Sequence, residues 1–319
     1  MAFVAAAALS APARADCLDA GQLERSLNPL ETALVESAGP ISRDRRGRMV
    51  APVTVNGEGP FRFIVDTGAN RSALSRTLAE QLGLLQVGEG EVNSVYGVTI
   101  APMVAVDTIH YGELAMPGAA LPMLDGAVLA GEAGLLGVDG MAGRRLRIDF
   151  DRLCIEIAPA QNASRLRGWS TVQGRLRFGH LVVIPGEIRG REINVLIDTG
   201  SDTSFANLAL RERLAGVVRS SADPIVLRRA YTAGEPVVLG NAIIIPQLDV
   251  GNVRVANMSA FVGDFHIFQL WDLVEEPTLL IGMDVLSQSA GLAIDYERAT
   301  VHFRLRRRRA SLAERVDPM

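Results

Sequence analysis

Two apolar runs in this chain end on the same three residues. Phe63-Ile64-Val65 leads into Asp66-Thr67-Gly68, and INVLI (193–197) leads into Asp198-Thr199-Gly200. Asp, Thr and Gly are common turn residues, so one such ending is an ordinary way to finish a strand. The flanks give the second one its meaning. Upstream of each lies a short β-like run, MVAPVTVN (49–56) or HLVVIPGEI (180–188), that reaches a Gly-containing turn. Downstream, a polar turn leads into a short helical pattern. Leu74, Leu78 and Leu82 are stopped by Gly83 in the first copy; Leu210 and Leu214 are followed by Gly216 in the second. Farther on come Leu135-Leu136-Gly137-Val138-Asp139 and Leu280-Ile281-Gly282-Met283-Asp284. Each copy closes on a similar strand, LRIDFDRLCIEI (146–157) or LAIDYERATVHFRL (292–305). A given tripeptide is roughly a one-in-several-thousand event per position at average usage. Its repetition with both flanks and a matching downstream glycine marks a duplication.

The repeat covers two lobes, 46–158 and 171–305, joined by a polar linker, 159–170, that holds Pro159, Gly168 and a glycosylation sequon at Asn162. Each copy is a series of short β-like runs punctuated by Gly, Pro and Asn, with one short helix. That pattern argues for an all-β chain.

The ends carry different signals. MAFVAAAALSAPARA (1–15) reads as an export signal cleaved after Ala15, with a fraying Ala-rich helix as the other reading. It is too short to span a bilayer, and no other run is long enough. The expected setting is therefore periplasmic or secreted. Residues 16–45 form an N-terminal segment, for which a cleft-covering propeptide is one reading. The tail, 306–319, continues a run of arginines and reads as a solvated end. Cys17 and Cys154 either tie the mature N-terminus to the strand near 154 or stand as two unpaired thiols. The net charge of −4 gives no reason to expect nucleic acid. His110, His180, His266 and His302 are scattered without ligand spacing, so neither a metal nor a cofactor is expected.

The sequence resembles the retropepsin-like aspartic proteases, most closely bacterial exported members with two such units in one chain. The residues that carry the resemblance are FIVDTGA (63–69), VLIDTGS (195–201), GLLGVDGM (134–141) and LLIGMDVL (279–286). It implies two acid-protease β-barrel lobes facing each other as a pepsin-like bilobal pseudo-dimer, with one Asp from each meeting at the interface. It also implies that the downstream Gly motif packs beneath the Asp-Thr-Gly loop. On that reading Asp66 and Asp198 are the catalytic pair, supported by Thr67, Gly68 and Ala69 and by Thr199, Gly200 and Ser201. The thresholds for such chemistry fit: hydrolysis without a metal needs one group to take a proton from water and another to give one to the amine. Two adjacent carboxyls sharing a proton can do both.

Three finer expectations follow. Ser201, against Ala69 in the other copy, is a candidate hydrogen-bond donor to Asp198, which would then carry more of the negative charge. Flap hairpins are sought at EVNSVYGVTIAP (91–102), with Tyr96 and Gly97, and at LRRAYTAGEPVV (227–238), with Tyr231 and Gly234; an ordinary hairpin with a surface Tyr is the plain alternative. Asp139 and Asp284 are expected to make turn hydrogen bonds and not to bind metal. The function expected is an aspartic endopeptidase acting on peptides or proteins as a monomer. A peptide-binding or scaffolding module of the same fold, or a dimer with two sites, are the alternatives.

Overall fold

The computed structural model describes residues 43–44, 46–112, 114–161, 163, 166–178, 181–216, 219–220, 228–230, 237–239 and 241–306. Residues 1–15, read above as an expected export signal, lie outside them, as do Cys17, Asn162, His180, Tyr231, Gly234 and the tail beyond Arg306. Cys154 is buried and is not a free thiol.

The first copy opens with a hairpin of β1 (Val50–Val55) and β2 (Glu58–Val65). Asn56 and Gly57 both adopt positive φ, +52° and +82°, the backbone that a tight hairpin requires. Along β1, Ala51, Val53 and Val55 are buried while Pro52 and Thr54 are not, the period-two pattern of a strand with one covered face. There follow β3 (Ala73–Ser75), α1 (Arg76–Gln81), β4 (Gln86–Asn93), β5 (Val98–Tyr111), β6 (Leu114–Leu124), α2 (Gly126–Leu129) and β7 (Gly134–Leu136). The strand order β1-β2-β7-β3-β6-β5, with β5 returning to β1 at Val55↔Ile109, closes a six-stranded barrel from which β4 extends. Antiparallel β8 (Arg144–Asp149) and β9 (Cys154–Pro159) leave it.

The second copy repeats the plan. After β10 (Ser170–Gln173) and β11 (Arg175–Arg177) come β12 (Leu181–Ile188) and β13 (Arg191–Ile197), joined at Arg189 and Gly190, again both at positive φ. Then follow β14 (Phe205–Ala206), α3 (Leu208–Arg213), β15 (Arg219–Ser220), β16 (Arg228–Ala230), β17 (Val237–Leu239), β18 (Ala242–Val250), β19 (Val253–Val262), α4 (His266–Leu270), β20 (Thr278–Ile281), α5 (Met283–Leu286), β21 (Gly291–Asp295) and β22 (Thr300–Arg304). The order β12-β13-β20-β14-β19-β18, with β18 touching β12 at Asp249↔Glu187, closes a second six-stranded barrel.

The two copies meet strand to strand. In the order β10-β22-β21-β8-β9, the repeated closing strands β8 and β21 pair antiparallel, Leu146 facing Ile294 and Ile148 facing Leu292. One apolar cluster runs through this sheet into both barrels, taking in Val65, Ile197, Leu146 and Ile294. The chain is all-β and bilobal, as its sequence pattern implied.

The first helix is shorter than the leucine spacing suggested. Leu74 belongs to β3, and α1 starts only after Ser75, whose hydroxyl accepts from the Leu78 N–H at 3.1 Å and caps the helix. Leu78 is the leucine that this helix buries; Leu82 already sits at its C-cap, and Gly83 ends it at φ +59°.

Candidate active site

Each Asp-Thr-Gly sits where a buried strand runs out. The end of β2 lies parallel to β7, with Val65 opposite Leu136, and the end of β13 lies parallel to β20, with Ile197 opposite Ile281. The two repeated motifs of each copy are thus neighbours in space. The Asp66 N–H donates to the Leu136 carbonyl at 3.0 Å, and the Asp198 N–H to the Ile281 carbonyl at 2.9 Å. Below them, the Val138 N–H donates to Ala69 O at 2.9 Å and the Met283 N–H to Ser201 O at 2.8 Å. Gly137 and Gly282 leave no room for a side chain: a Cβ there would stand 2.7 Å from the Arg71 carbonyl carbon and 2.5 Å from Thr203 O.

Asp139 and Asp284 buttress these loops, as turn acceptors. Asp139 accepts from the Ser72 N–H at 2.9 Å and its hydroxyl at 2.7 Å; the Ser72 hydroxyl in turn accepts from the Gly137 N–H at 3.0 Å. Asp284 does the same for Ser204 at 3.3 and 2.8 Å, and Ser204 accepts from Gly282 at 3.1 Å. Among the described residues, no group of three or more His, Cys, Asp or Glu is arranged to hold a metal.

The two loops grip each other across the lobe interface. The Thr67 hydroxyl donates to the Ile197 carbonyl at 2.7 Å, and the Thr199 hydroxyl to the Val65 carbonyl at 2.6 Å. Each threonine oxygen also accepts from the other threonine's N–H, at 3.2 and 3.0 Å. Both side chains are buried, so four hydrogen bonds are made where water cannot substitute.

This grip brings Asp66 and Asp198 together, each carboxyl lying against the Gly of the other copy's loop and both lining one cleft. Gly68 and Gly200 permit the approach. A Cβ on Gly200 would fall 2.1 Å from the carboxyl carbon of Asp66, and one on Gly68 would fall 2.7 Å from that of Asp198. Oδ1 of Asp66 accepts from the Gly68 N–H at 2.9 Å; Oδ1 of Asp198 accepts from Gly200 and Ser201 at 2.8 and 3.1 Å.

Burial raises both carboxyls above the ordinary carboxylate value. For Asp66 the N–H groups of Gly68 and Ala69 and the charge of Arg48 oppose it. For Asp198 the negative charge of Asp66 adds to burial and pushes it well up. The hydrogen bond expected from the Ser201 hydroxyl to Asp198 is not formed. The Ser201 hydroxyl turns away and donates to the Thr203 carbonyl at 2.7 Å; only its backbone N–H reaches Asp198.

The pair lies at the floor of a cleft of about 480 Å³. The β4–β5 hairpin crosses it. Its tip is a tight turn in which Gly97 O accepts from the Ser94 N–H and hydroxyl, at 2.8 and 3.1 Å. The tip rests on the second lobe: Val95 O accepts from the Ile267 N–H at 3.3 Å, and Asn93 Oδ1 lies 2.9 Å from His266 Nε2. Tyr96 packs edge-on against Phe265 and Phe205, with ring centroids 5.4 and 6.2 Å away. Burial, with the charge of Asp202 beside it, pushes the Tyr96 phenol up, so it stays neutral. The second hairpin, β16–β17, carries its candidate residues Tyr231 and Gly234 outside the described segment.

Sequence reasoning did not find Arg48 or the apolar wall of Phe205, Phe265 and Trp271. The repeat located the loops because it occurs twice; these residues occur in one copy each.

No curated protein matches this chain. A family model described as aspartyl protease matches it twice, over residues 51–139 and 184–285. These two spans hold both Asp-Thr-Gly loops and both buttressing Gly motifs, so the chain belongs to the aspartyl protease family and carries two of its units.

Proposed function

We propose that this protein is an aspartic endopeptidase in which Asp66 and Asp198 share one proton and act together on one water. The observation that supports this is the approach of two carboxyls, one from each copy, each against the Gly of the other loop in a single cleft.

The chemistry runs as follows. A peptide carbonyl lies against a water held between the two carboxyls. The ionised carboxylate takes a proton from that water as its oxygen attacks the carbonyl carbon, and the protonated carboxyl gives its proton to the carbonyl oxygen. The tetrahedral diol then collapses. The second carboxylate recovers a proton from one hydroxyl, and the first carboxyl delivers its proton to the nitrogen as the C–N bond breaks. One water is consumed, an acid and an amine leave, and the pair returns to its starting protonation.

The β4–β5 hairpin has the position of a lid. With Tyr96 and Gly97 at its tip, it excludes water once a peptide is seated and must lift from the second lobe to admit one. Both halves of the site come from one chain, so we propose that the protein acts as a monomer; tethering keeps the lobes at high effective concentration.

Digestion of a mixed peptide library from acidic to neutral pH, read by mass spectrometry, tests this. Wild type is expected to cut, and Asp66→Asn and Asp198→Asn are each expected to abolish every cut. Cuts that survive either substitution would refute the shared pair. Absence of cutting at every pH by the folded wild-type chain would refute the protease reading and leave a peptide-binding module.

A further inference from the structure

The two halves of the cleft are built on one register but are not lined alike. Ala73 on β3 and Phe205 on β14 each stand seven residues after the Asp of their copy. Ala73 lies opposite Leu135, and Phe205 opposite Leu280. Those leucines in turn lie opposite Ile64 and Leu196. The two sets of three residues therefore hold matching places in the two lobes. Ala73 and Phe205 both line the cleft, so a methyl stands on one side where a ring stands on the other.

The exchange changes how deep the cleft goes. Over the first lobe it reaches down to Ile64, between Leu124, Val128 and Leu135; over the second it reaches Phe205 and Leu280 but not Leu196. Leu196 is buried in one apolar cluster with Phe205, Phe265 and Trp271. Phe205 is held in place: its ring meets Phe265 edge-on at 5.0 Å, and Tyr96 at the hairpin tip closes on it at 6.2 Å. The matching cluster of the first lobe, Ile64, Ala73, Leu124, Leu129 and Leu135, contains no aromatic ring among the described residues.

The charged residues that line the cleft do not set this difference. Arg71, Glu91 and Asp202 are exposed, where solvent and salt screen them. Arg48 is paired with Asp44 at 2.6 Å, and Arg46 donates to the Ala127 carbonyl at 2.9 Å. Ile64, Ala73 and Leu135 are hydrocarbon, so the first-lobe floor selects by size.

We propose that Ala73 and Phe205 set unequal size limits on the two sides of the peptide bond that lies over the carboxyl pair. The first-lobe pocket takes a bulky apolar side chain such as leucine, methionine or phenylalanine, and the second-lobe pocket takes a small one. This rests on the protease reading above and narrows its substrate class to sequences that are asymmetric about the bond. An open apolar pocket gains from each methylene buried in it, whereas a packed ring cannot make room for a second large group without strain. Ala73 and Phe205 are specificity-determining residues and take no part in the proton transfers.

The test uses full-length protein and a peptide library varied at the two residues on each side of a central bond. One form of the library has an ordinary amide there and is read by cleavage. The other has a reduced CH₂–NH bond, which cannot be hydrolysed, and is read by binding. Wild type is expected to prefer peptides that are bulky on one side only over peptides that are bulky on both, by about 10-fold or more. Equal use of bulky residues on both sides would overturn the proposal. Ala73→Phe is expected to remove the bulky preference on one side, and Phe205→Ala to admit bulky residues on the other. The two changes together are expected to carry the preference across the bond. Merely structural roles would lower Tm and weaken all peptides alike, and an unmoved profile would overturn the proposal. Should Ala73→Phe fail to fold, Ala73→Val and Phe205→Leu decide by smaller steps in the same directions, and no shift in either would contradict the roles. The expected binding pattern without any cleavage by wild type would sink the protease reading and not the size rule. Cleavage without the pattern would sink the size rule and not the protease reading.

Discussion

At the scale of single residues, the site is governed by how closely two backbones approach. Gly200 is the tightest point, because a Cβ there would lie 2.1–2.3 Å from all three carboxyl atoms of Asp66. Gly200→Ala is expected to displace Asp66 and lower kcat/KM by about 100-fold, since misplacement by an ångström carries roughly that cost. Gly68→Ala, with contacts of 2.7–2.8 Å, is expected to cost less. Peptide cleavage by the two variants checks the order; equal losses would contradict it. The carboxyls also store a pH-dependent cost. Asp198 is raised above its ordinary value of 3.8, so the folded state binds that proton more tightly than the unfolded chain does. The stability tied to the proton is present below that ordinary value and is lost as pH rises through the folded-state value. Asp198→Asn is therefore expected to raise Tm at neutral pH, by about 2–4 °C for each kcal/mol relieved, with the gain shrinking as pH falls toward 3.8. Thermal melts across pH measure it; a gain that grows on acidification would contradict the assigned direction.

At the scale of elements, each loop is held by a strand pair and a buttress, and the two loops are held by the threonine grip. Thr199→Ala removes a buried donor to Val65 O and an acceptor for the Thr67 N–H, leaving both unpaired. It is expected to cost about 2–6 kcal/mol in denaturant unfolding, at roughly one to three for each orphaned group. Thr199→Ser, which keeps the hydroxyl, is expected to recover most of it; no recovery would mean that the methyl group and not the grip carries the effect. Much of this was legible in the sequence. The repeated Asp-Thr-Gly, the downstream Gly and the closing strand each occur twice, and each turned out to be a neighbour of its copy-mate or of the pair itself. Less was legible where the copies diverge. Leu74 fits a helical spacing yet lies in β3, because Ser75 caps the helix after it. Ser201 offered a hydroxyl to Asp198, but its own loop supplies a nearer acceptor at Thr203 O. Arg48 sits in a polar run, ISRDRRGR, where nothing in the spacing tells the buried arginine from the half-buried Arg43 and Arg46.

At the scale of the whole molecule, duplication explains why a single chain contains an interface of the dimeric kind. The closing strands β8 and β21 pair with each other, so the sheet that joins the lobes is built from equivalent pieces of both copies. The asymmetry lies above this sheet. One hairpin, β4–β5, reaches across to an aromatic patch in the other lobe, and one arginine, Arg48, reaches from the first copy to the Gly200 carbonyl of the second. Tyr96→Ala removes the edge-on contacts with Phe205 and Phe265. It is expected to raise KM several-fold while Tm changes little, because the hairpin tip lies outside the barrel cores. A large fall in Tm with KM unchanged would make Tyr96 a packing residue.

On the proposed function, one site is assembled within one chain from an Asp of each copy. Its most direct test is the peptide-cleavage rate of an equimolar mixture of Asp66→Asn and Asp198→Asn chains, set against each variant alone and wild type. Wild type is expected to cut, neither variant is, and the mixture is expected to stay inactive because each chain pairs its lobes internally. Recovery of cleavage on mixing would mean that lobes pair between chains, and would contradict it.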